Sequence, residues 1–324
     1  MRGLRILVTG GAGYIGSHVV KLLDALGCRV TVLDDLSTGF RELVHWGTFV
    51  QGATGDVPLL EDLFAAGRFD AILHFAAFSQ VGESVAYPMR YYQNNVGGTM
   101  VLLDTALRHG VRRFIFSSSA AVYGEPLQLP IDESHRCLPT SPYGATKLTV
   151  ERLLQDCAQA HDLGFGCLRY FNAAGADPSG VIGEMHDPET HIIPRLLGVA
   201  AGLEGAFSVF GQEHDTPDGT CIRDYVHVND LAWAHVLVLQ ALMDGSRGLI
   251  YNVGNSRGYS VMEVVAAARA VTGCPIPVRF EKARPGDPAV LVADCTKIKA
   301  ELGWKPRYEA LEMMVATAWN RHKR

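Results

Sequence analysis

Ser141-Pro142-Tyr143-Gly144-Ala145-Thr146-Lys147 holds a tyrosine and a lysine four residues apart. On a helix, that spacing puts both side chains on one face. A phenol titrates near ~10 and is a poor base at neutral pH. An ammonium about 5 Å away, at an effective dielectric of about 20, favours the phenolate by roughly 3 kcal/mol, or about two pK units. The pair can thus form a base poised near neutrality. Ser119 closes a serine run, Ser117-Ser118-Ser119, and lies 24 residues ahead of Tyr143. Its hydroxyl is placed to donate to, or accept from, a reacting hydroxyl. A bare Tyr-x-x-x-Lys is common on solvated helix surfaces, so the chemistry depends on what surrounds it.

The strongest surrounding feature is Thr9-Gly10-Gly11-Ala12-Gly13-Tyr14-Ile15-Gly16. Its glycines follow an apolar strand-like run and open a helix-like one. Glycine is needed there because the backbone must turn tightly and approach a pyrophosphate closely. The helix N-terminus adds free N–H groups and partial positive charge. The second strand ends in Asp34-Asp35, with Asp34 18 residues after Gly16. A carboxylate at about that distance accepts both ribose hydroxyls of adenosine and repels a 2′-phosphate, so NAD is expected over NADP. An ordinary glycine-rich turn would carry no such acid.

Elements able to position these groups recur along the first half. Arg5–Thr9, Arg29–Leu33, Ala71–Phe75, Arg113–Ser117 and Gly166–Tyr170 are apolar throughout, as strands buried on both faces must be. Helix-like stretches Tyr14–Leu26, Leu59–Ala65, Asn95–His109 and Tyr143–His161 lie between them. This alternation predicts an α/β fold, a Rossmann-like doubly wound parallel sheet. After about Asn172, Gly, Pro and Asp increase through Ala173–Glu189, and a loop-rich, smaller mixed α/β lobe is expected to bind substrate. Within it Cys221–Val228 reads as a strand, Asn229–Met243 as a helix and Leu249–Val253 as a strand.

Composition excludes several classes. The 324 residues are 48% hydrophobic and 19% charged, which is enough for a sizeable core and argues against disorder. Lys plus Arg is 29 against 34 Asp plus Glu, a net charge of -5, so no bulk nucleic-acid binding is expected. No apolar run approaches the ~20 residues of a membrane span; Leu231–Met243 is too short and contains His235 and Gln240. The apolar stretch after Arg2 and Arg5 runs into the glycine turn and reads as a core strand, not a signal core. Seven scattered cysteines with no Cys-x-x-Cys fit a reducing cytoplasm. His186 and His191 are five apart in the loop, but their spacing matches no strong zinc pattern, and no metal is expected.

Together these features resemble the extended short-chain dehydrogenase/reductase family, and within it the nucleotide-sugar 4-epimerases, over nearly the whole chain. Beyond the glycines, the matching stretches are HFAAFSQVGESV from His74, NNVGGT from Asn94, FSSSAAVYG from Phe116, SPYGATK, RYFNAAGADP from Arg169, DGTCIRDYVHVNDLA from Asp218 and YNVGN from Tyr251. The resemblance implies that Gly10, Gly13, Tyr14, Ile15, Gly16, Asp34 and Asp35 hold the adenosine and pyrophosphate of NAD. Asp56-Val57 would meet the adenine and Phe75-Ala76-Ala77 the next stretch. Asn95 and Ser117 would complete the pocket, with Tyr170 and Phe171 near the nicotinamide and Tyr143 and Lys147 beside it. For a UDP-sugar substrate it implies Ser119 at the sugar oxygen, Asn172, Arg223 and Arg284 at the diphosphate, Asp287 at the uridine ribose, Phe210 near the uracil, and His191 and Ile192 by the sugar and uridine. A paired guanidinium contact is a sound match to phosphate; the plain alternative for Arg223 is an ion pair with Asp224.

The implied reaction interconverts UDP-galactose and UDP-glucose by C4 oxidation to a 4-keto sugar, rotation in the site and return of the hydride. Ser119, Tyr143 and Lys147 would be the catalytic set. Dehydratase and decarboxylase relatives carry an acid after the serine run, where this chain has Ala120-Ala121. Alternatives are a 4-epimerase of UDP-xylose or arabinose, UDP-glucuronate or UDP-N-acetylglucosamine, a net oxidoreductase, and a non-catalytic NAD-binding sensor. Ser79, Gln80, His191, Glu213 and His214 depart from the more usual residues of the pattern, and Val290 stands where a larger residue would restrict N-acetylated sugars. The resemblance also implies a homodimer built through Asn95–His109 and Tyr143–His161. It divides the chain into an NAD-binding domain, 1–175 with 228–258, and a UDP-sugar-binding lobe, 176–227 with 259–324.

Overall fold

Along each central strand the side chains alternate between two separate cores. Ile6 and Val8 pack into one and Leu7 into the other; Ala71 and Leu73 oppose Ile72; Ile115 opposes Phe114 and Phe116. A period of two on an all-apolar strand requires a helix layer on both faces. In the computed structural model, which describes residues 1–283 and 288–323, both layers are present.

The first half runs β1 (Arg5–Thr9), α1 (Tyr14–Ala25), β2 (Arg29–Asp34), β3 (Thr48–Gln51), α2 (Val57–Gly67), β4 (Ala71–His74), α3 (Val81–Ala86), α4 (Pro88–Tyr91), a π-helical segment (Tyr92–Gly98), α5 (Thr99–Arg108), β5 (Arg113–Ser119), α6 (Pro142–His161) and β6 (Gly164–Tyr170). The second half adds β7 (Asn172–Ala174), α7 (Ile192–Ala200), β8 (Phe207–Phe210), β9 (Ile222–His227), α8 (Val228–Met243), β10 (Leu249–Val253), β11 (Gly258–Ser260), α9 (Val261–Thr272), β12 (Val278–Glu281), β13 (Val290–Leu291), α10 (Thr296–Leu302) and α11 (Leu311–His322).

Seven parallel strands form the main sheet in the order β10-β6-β5-β4-β1-β2-β3. Strand order reverses between β1 and β4, and the crevice beyond their carboxyl ends is where such sheets take ligands. Residues of α1 and α8 fill one core, and those of α2, α5 and α6 the other. This is the doubly wound, Rossmann-like architecture expected. In the second half β9 pairs with β7, β11 and β13, and β8 pairs with β12. A third core joins α7, α9 and α11 through Leu196, Val264, Met314 and their neighbours. Asn172–Ala174, within the 1–175 segment, adds to the β9 sheet and not to the main one. Among the described residues no helix is long and apolar enough to cross a membrane.

His18, His74, His227 and His235 are among the histidines buried in these layers. Burial lowers His18 and His235 to about 4, and His74 and His227 to about 3. The unfolded chain binds these protons near pH 6.5, so it holds more protons than the fold between pH 6.5 and 3–4. Stability is therefore full above 6.5 and lost as pH falls through that window. The melting temperature of the protein is expected to drop steeply between pH 6.5 and 4.5; a flat profile there would contradict the neutral burial of these rings.

Candidate active site

The serine run at the end of β5 ties three elements together. Ser117 hydrogen-bonds the Tyr170 hydroxyl on β6 through its side chain. Ser118 donates to Glu151 on α6 at 2.5 Å. Ser119 hydrogen-bonds the Tyr143 phenol, and its hydroxyl also accepts the Ala121 N–H at 3.2 Å. Helix α6 begins where it does because Ser141 caps it, accepting the Gly144 N–H at 3.2 Å, and Pro142 occupies the first turn. Tyr143, Lys147 and Glu151 then follow at i, i+4 and i+8. Lys147 is 3% exposed and Glu151 1% exposed, so the face carrying them is turned inward.

Lys147 donates to the Ser117 carbonyl at 2.7 Å, and its ammonium lies 5.7 Å from the Tyr143 ring centroid. Burial lowers it to about 7, with Glu151 pulling the other way. Burial likewise raises the Tyr143 phenol above its ordinary value, and the Ser119 hydrogen bond lowers it. Burial is thus the largest influence on both groups, and the Lys147 ammonium is directed at a backbone carbonyl. A phenol, a hydroxyl and an ammonium arranged this way can hold and pass a proton at one point.

The brace behind the site was not read from the sequence. Glu151 accepts from Arg169 Nε at 2.9 Å and Nη2 at 2.6 Å, and Arg169 also donates to the Tyr123 hydroxyl at 3.1 Å. Tyr123 in turn donates to Asn252 at 2.6 Å. Ser84 was also passed over as a site residue; its Oγ accepts the Tyr143 N–H at 3.1 Å. The only sequence signals were the i+4 step from Lys147 to Glu151 and the VGES stretch.

On the opposite side of the crevice, Gly10 follows β1 with a φ of 71°. A Cβ on Gly10 would lie 2.4 Å from the Ala76 nitrogen, and one on Gly16 2.2 Å from the Gly10 carbonyl oxygen. The turn thus brings Gly10 against Phe75-Ala76-Ala77 and accepts only glycine at these two positions. Asp34 is buried at the end of β2 and accepts the Ala12 and Leu36 N–H groups, each at 2.9 Å. Asp35 accepts the Ser37 N–H at 2.9 Å. Tyr14 donates to the Gly175 carbonyl at 2.6 Å, and Ile15 packs on the core. Asp56 caps α2 through the Leu59 N–H, with Val57 exposed beside it. Asn95 lies in the π-helical segment with its amide committed to Phe78 and Thr146. Tyr170 and Phe171 are buried at the end of β6.

The second half contributes Asn172 on β7, His191 and Ile192 at the start of α7, Phe210 at the end of β8 and Arg223 on β9. Ile192 and Phe210 line one cavity with Arg195 and Cys221. The Asp224 carboxylate beside Arg223 accepts the N–H groups of Asn255, Ser256 and Ala293 at 2.7, 3.0 and 3.1 Å. Burial raises that carboxyl to about 7. Arg284 and Asp287 lie outside the described residues. The loop before α7 also gathers Glu184, His186, Glu189 and His191.

The chain matches the model of the NAD dependent epimerase/dehydratase family over residues 6–254. The chain belongs to that family. A UDP-glucose 4-epimerase of Halalkalibacterium halodurans is 50% identical over 320 residues, covering 99% of this chain and 96% of that protein. The crystal structure of a UDP-glucose 4-epimerase from Brucella ovis in complex with NAD is 46% identical, with a TM-score of 0.95 and 98% of each chain covered. That of Bifidobacterium longum, in complex with NAD+ and UDP, is 39% identical, with a TM-score of 0.94 and 98% of each chain covered.

As a member of an NAD dependent epimerase/dehydratase family, the chain uses NAD, and its first βα turn fits that cofactor. Both glycines there are obligatory on steric grounds, no acidic side chain stands in the first turn of α1, and Asp34 is held at the neighbouring strand end.

Proposed function

We propose that this protein is an NAD-dependent 4-epimerase that interconverts UDP-galactose and UDP-glucose. The observation that carries the reading is the convergence of Ser119, Tyr143 and Lys147 at the end of β5, across the crevice from the glycine turn, with Ala120 and Ala121 as the next residues. An acid at those positions would serve elimination; two alanines leave oxidation and return. Bound NAD supplies a positively charged, reversible hydride acceptor for sugar C4. Tyr143 takes the proton of the 4-hydroxyl and gives it back, Ser119 hydrogen-bonds the same oxygen, and Lys147 provides the positive charge behind them. The 4-keto sugar must rotate between the two half-reactions, so the nucleotide is to be gripped harder than the hexose.

Gly10, Gly13, Tyr14, Ile15, Gly16, Asp34, Asp35, Asp56, Val57, residues 75–77, Asn95, Ser117, Tyr170 and Phe171 are assigned to NAD alongside Tyr143 and Lys147. Asn172, His191, Ile192, Phe210 and Arg223 are assigned to the UDP-sugar, with Arg284 and Asp287 completing the set. The division into 1–175 with 228–258 and 176–227 with 259–324 follows that split. A homodimer is favoured by the exposed run of Tyr87, Met89, Tyr92 and Met100 across α4, the π-helical segment and α5, which a second copy would cover; light scattering at the monomer mass would refute it. Seven cysteines with no disulfide among the described residues favour the cytoplasm.

Chromatography of purified protein with UDP-galactose and no added NAD tests the activity. UDP-glucose approaching an equilibrium mixture is expected. No product, with or without added NAD, would reject this substrate and turn the search to UDP-xylose, UDP-glucuronate and UDP-N-acetylglucosamine.

A further inference from the structure

The loop between β7 and α7 brings one ligand atom from each of Glu184, His186, Glu189 and His191 within 4.8 Å of one another. His186 Nδ1 is 3.4 Å from a carboxylate oxygen of Glu184 and 3.4 Å from one of Glu189. Those separations are long for hydrogen bonds, and the nitrogen is closed off from solvent. They match the edge of a tetrahedron with metal–ligand bonds of about 2.0–2.1 Å, whose ligand atoms lie about 3.4 Å apart. The His186 and His191 rings meet edge to face at 4.8 Å, and His191 also contacts Glu184. Two carboxylates are gathered here, and the Glu184 side chain is only 7% exposed. Among the described residues their only ion-pair partners are these two histidines. A dication placed among them would offset the charge of both carboxylates.

We propose that Glu184, His186, Glu189 and His191 bind one zinc-class dication through two imidazole nitrogens and two carboxylate oxygens. This reverses the expectation drawn from the His186–His191 spacing, which could not include the glutamates, and it withdraws the His191 side chain from the set assigned to the UDP-sugar. Imidazole with carboxylate selects zinc, cobalt and their neighbours over magnesium or calcium. The site fastens the loop ahead of α7 to the cofactor turn, because the Tyr14 ring lies edge-on to His186 at 6.4 Å.

The test uses the full chain after chelation and dialysis, titrated with Co2+ and followed by visible absorption and melting temperature. Both readouts are independent of the epimerase reaction. Saturation at one equivalent is expected, with the intense bands of a four-coordinate ion, a rise in melting temperature and displacement by Zn2+. His186→Ala and the near-isosteric Glu189→Gln should each weaken binding by on the order of 100-fold or more, beyond what loss of an outer-shell partner costs. His45→Ala, on the surface elsewhere, should change nothing. Only the weak spectrum of hydrated Co2+, or equal affinity in the parent and both variants, would overturn the site.

Discussion

Tyr143→Phe is expected to lower turnover of UDP-galactose by ~10²–10⁴-fold, the usual contribution of a positioned acid–base group. The substitution removes one oxygen and with it the proton acceptor and the Ser119 hydrogen bond. It leaves the helix start intact, since the Ser141 cap, Pro142 and the bond from the residue 143 N–H to Ser84 do not involve the phenol. The melting temperature should stay near that of the parent, so the loss is chemical. Turnover equal to the parent would move proton removal to another group and bring forward a non-catalytic role for the Tyr143–Lys147 pair. Burial raises Tyr143 and lowers Lys147, so each is pushed toward its neutral form before substrate arrives. Mutual charge stabilisation must overcome that desolvation for the phenolate to form.

The second large effect is structural. Glu151→Ala should destabilise the protein by about 3–5 kcal/mol, because it leaves the Arg169 guanidinium buried without its carboxylate. Urea unfolding followed by far-UV circular dichroism would report it as a lower midpoint. The double variant Glu151→Leu with Arg169→Met removes both charges and should recover much of the loss. A single variant as stable as the parent would mean that the pair contributes nothing. Glu151 also raises Lys147 toward its charged form, so Glu151→Gln should move the Lys147 titration below about 7. The brace therefore sets both the stability of the β5–α6–β6 junction and the charge carried by Lys147.

The main sheet was legible because its strands are apolar without interruption and its helices start at recognisable signals. Arg5–Thr9 matches β1 as read, and the strand expected over Gly166–Tyr170 begins two residues earlier, at Gly164. The helix expected from Asn95 begins at Thr99, since Tyr92–Gly98 winds with the wider π pitch that the Asn95 amide contacts accompany. β3 was missed: Thr48–Gln51 is an edge strand with exposed ends and no apolar run. The small paired strands β8, β12 and β13 are too short for a period of two to stand out.

The residue types of the site came from the sequence alone. Glycine at 10 and 16, the Asp34 carboxylate, and Tyr143 four residues before Lys147 are local facts, because a turn or one helical face fixes them. What the tertiary structure decided is everything that depends on which distant segments meet. It set the sign of the Tyr143 shift through burial, sent the Lys147 ammonium to the Ser117 carbonyl, paired Glu151 with Arg169 and brought the Asn255 N–H to the Asp224 carboxylate. It also gathered Glu184 and Glu189 around His186 and His191. Spacing along a chain determines neighbours within a few residues; desolvation and long-range pairing arise only when the layers close.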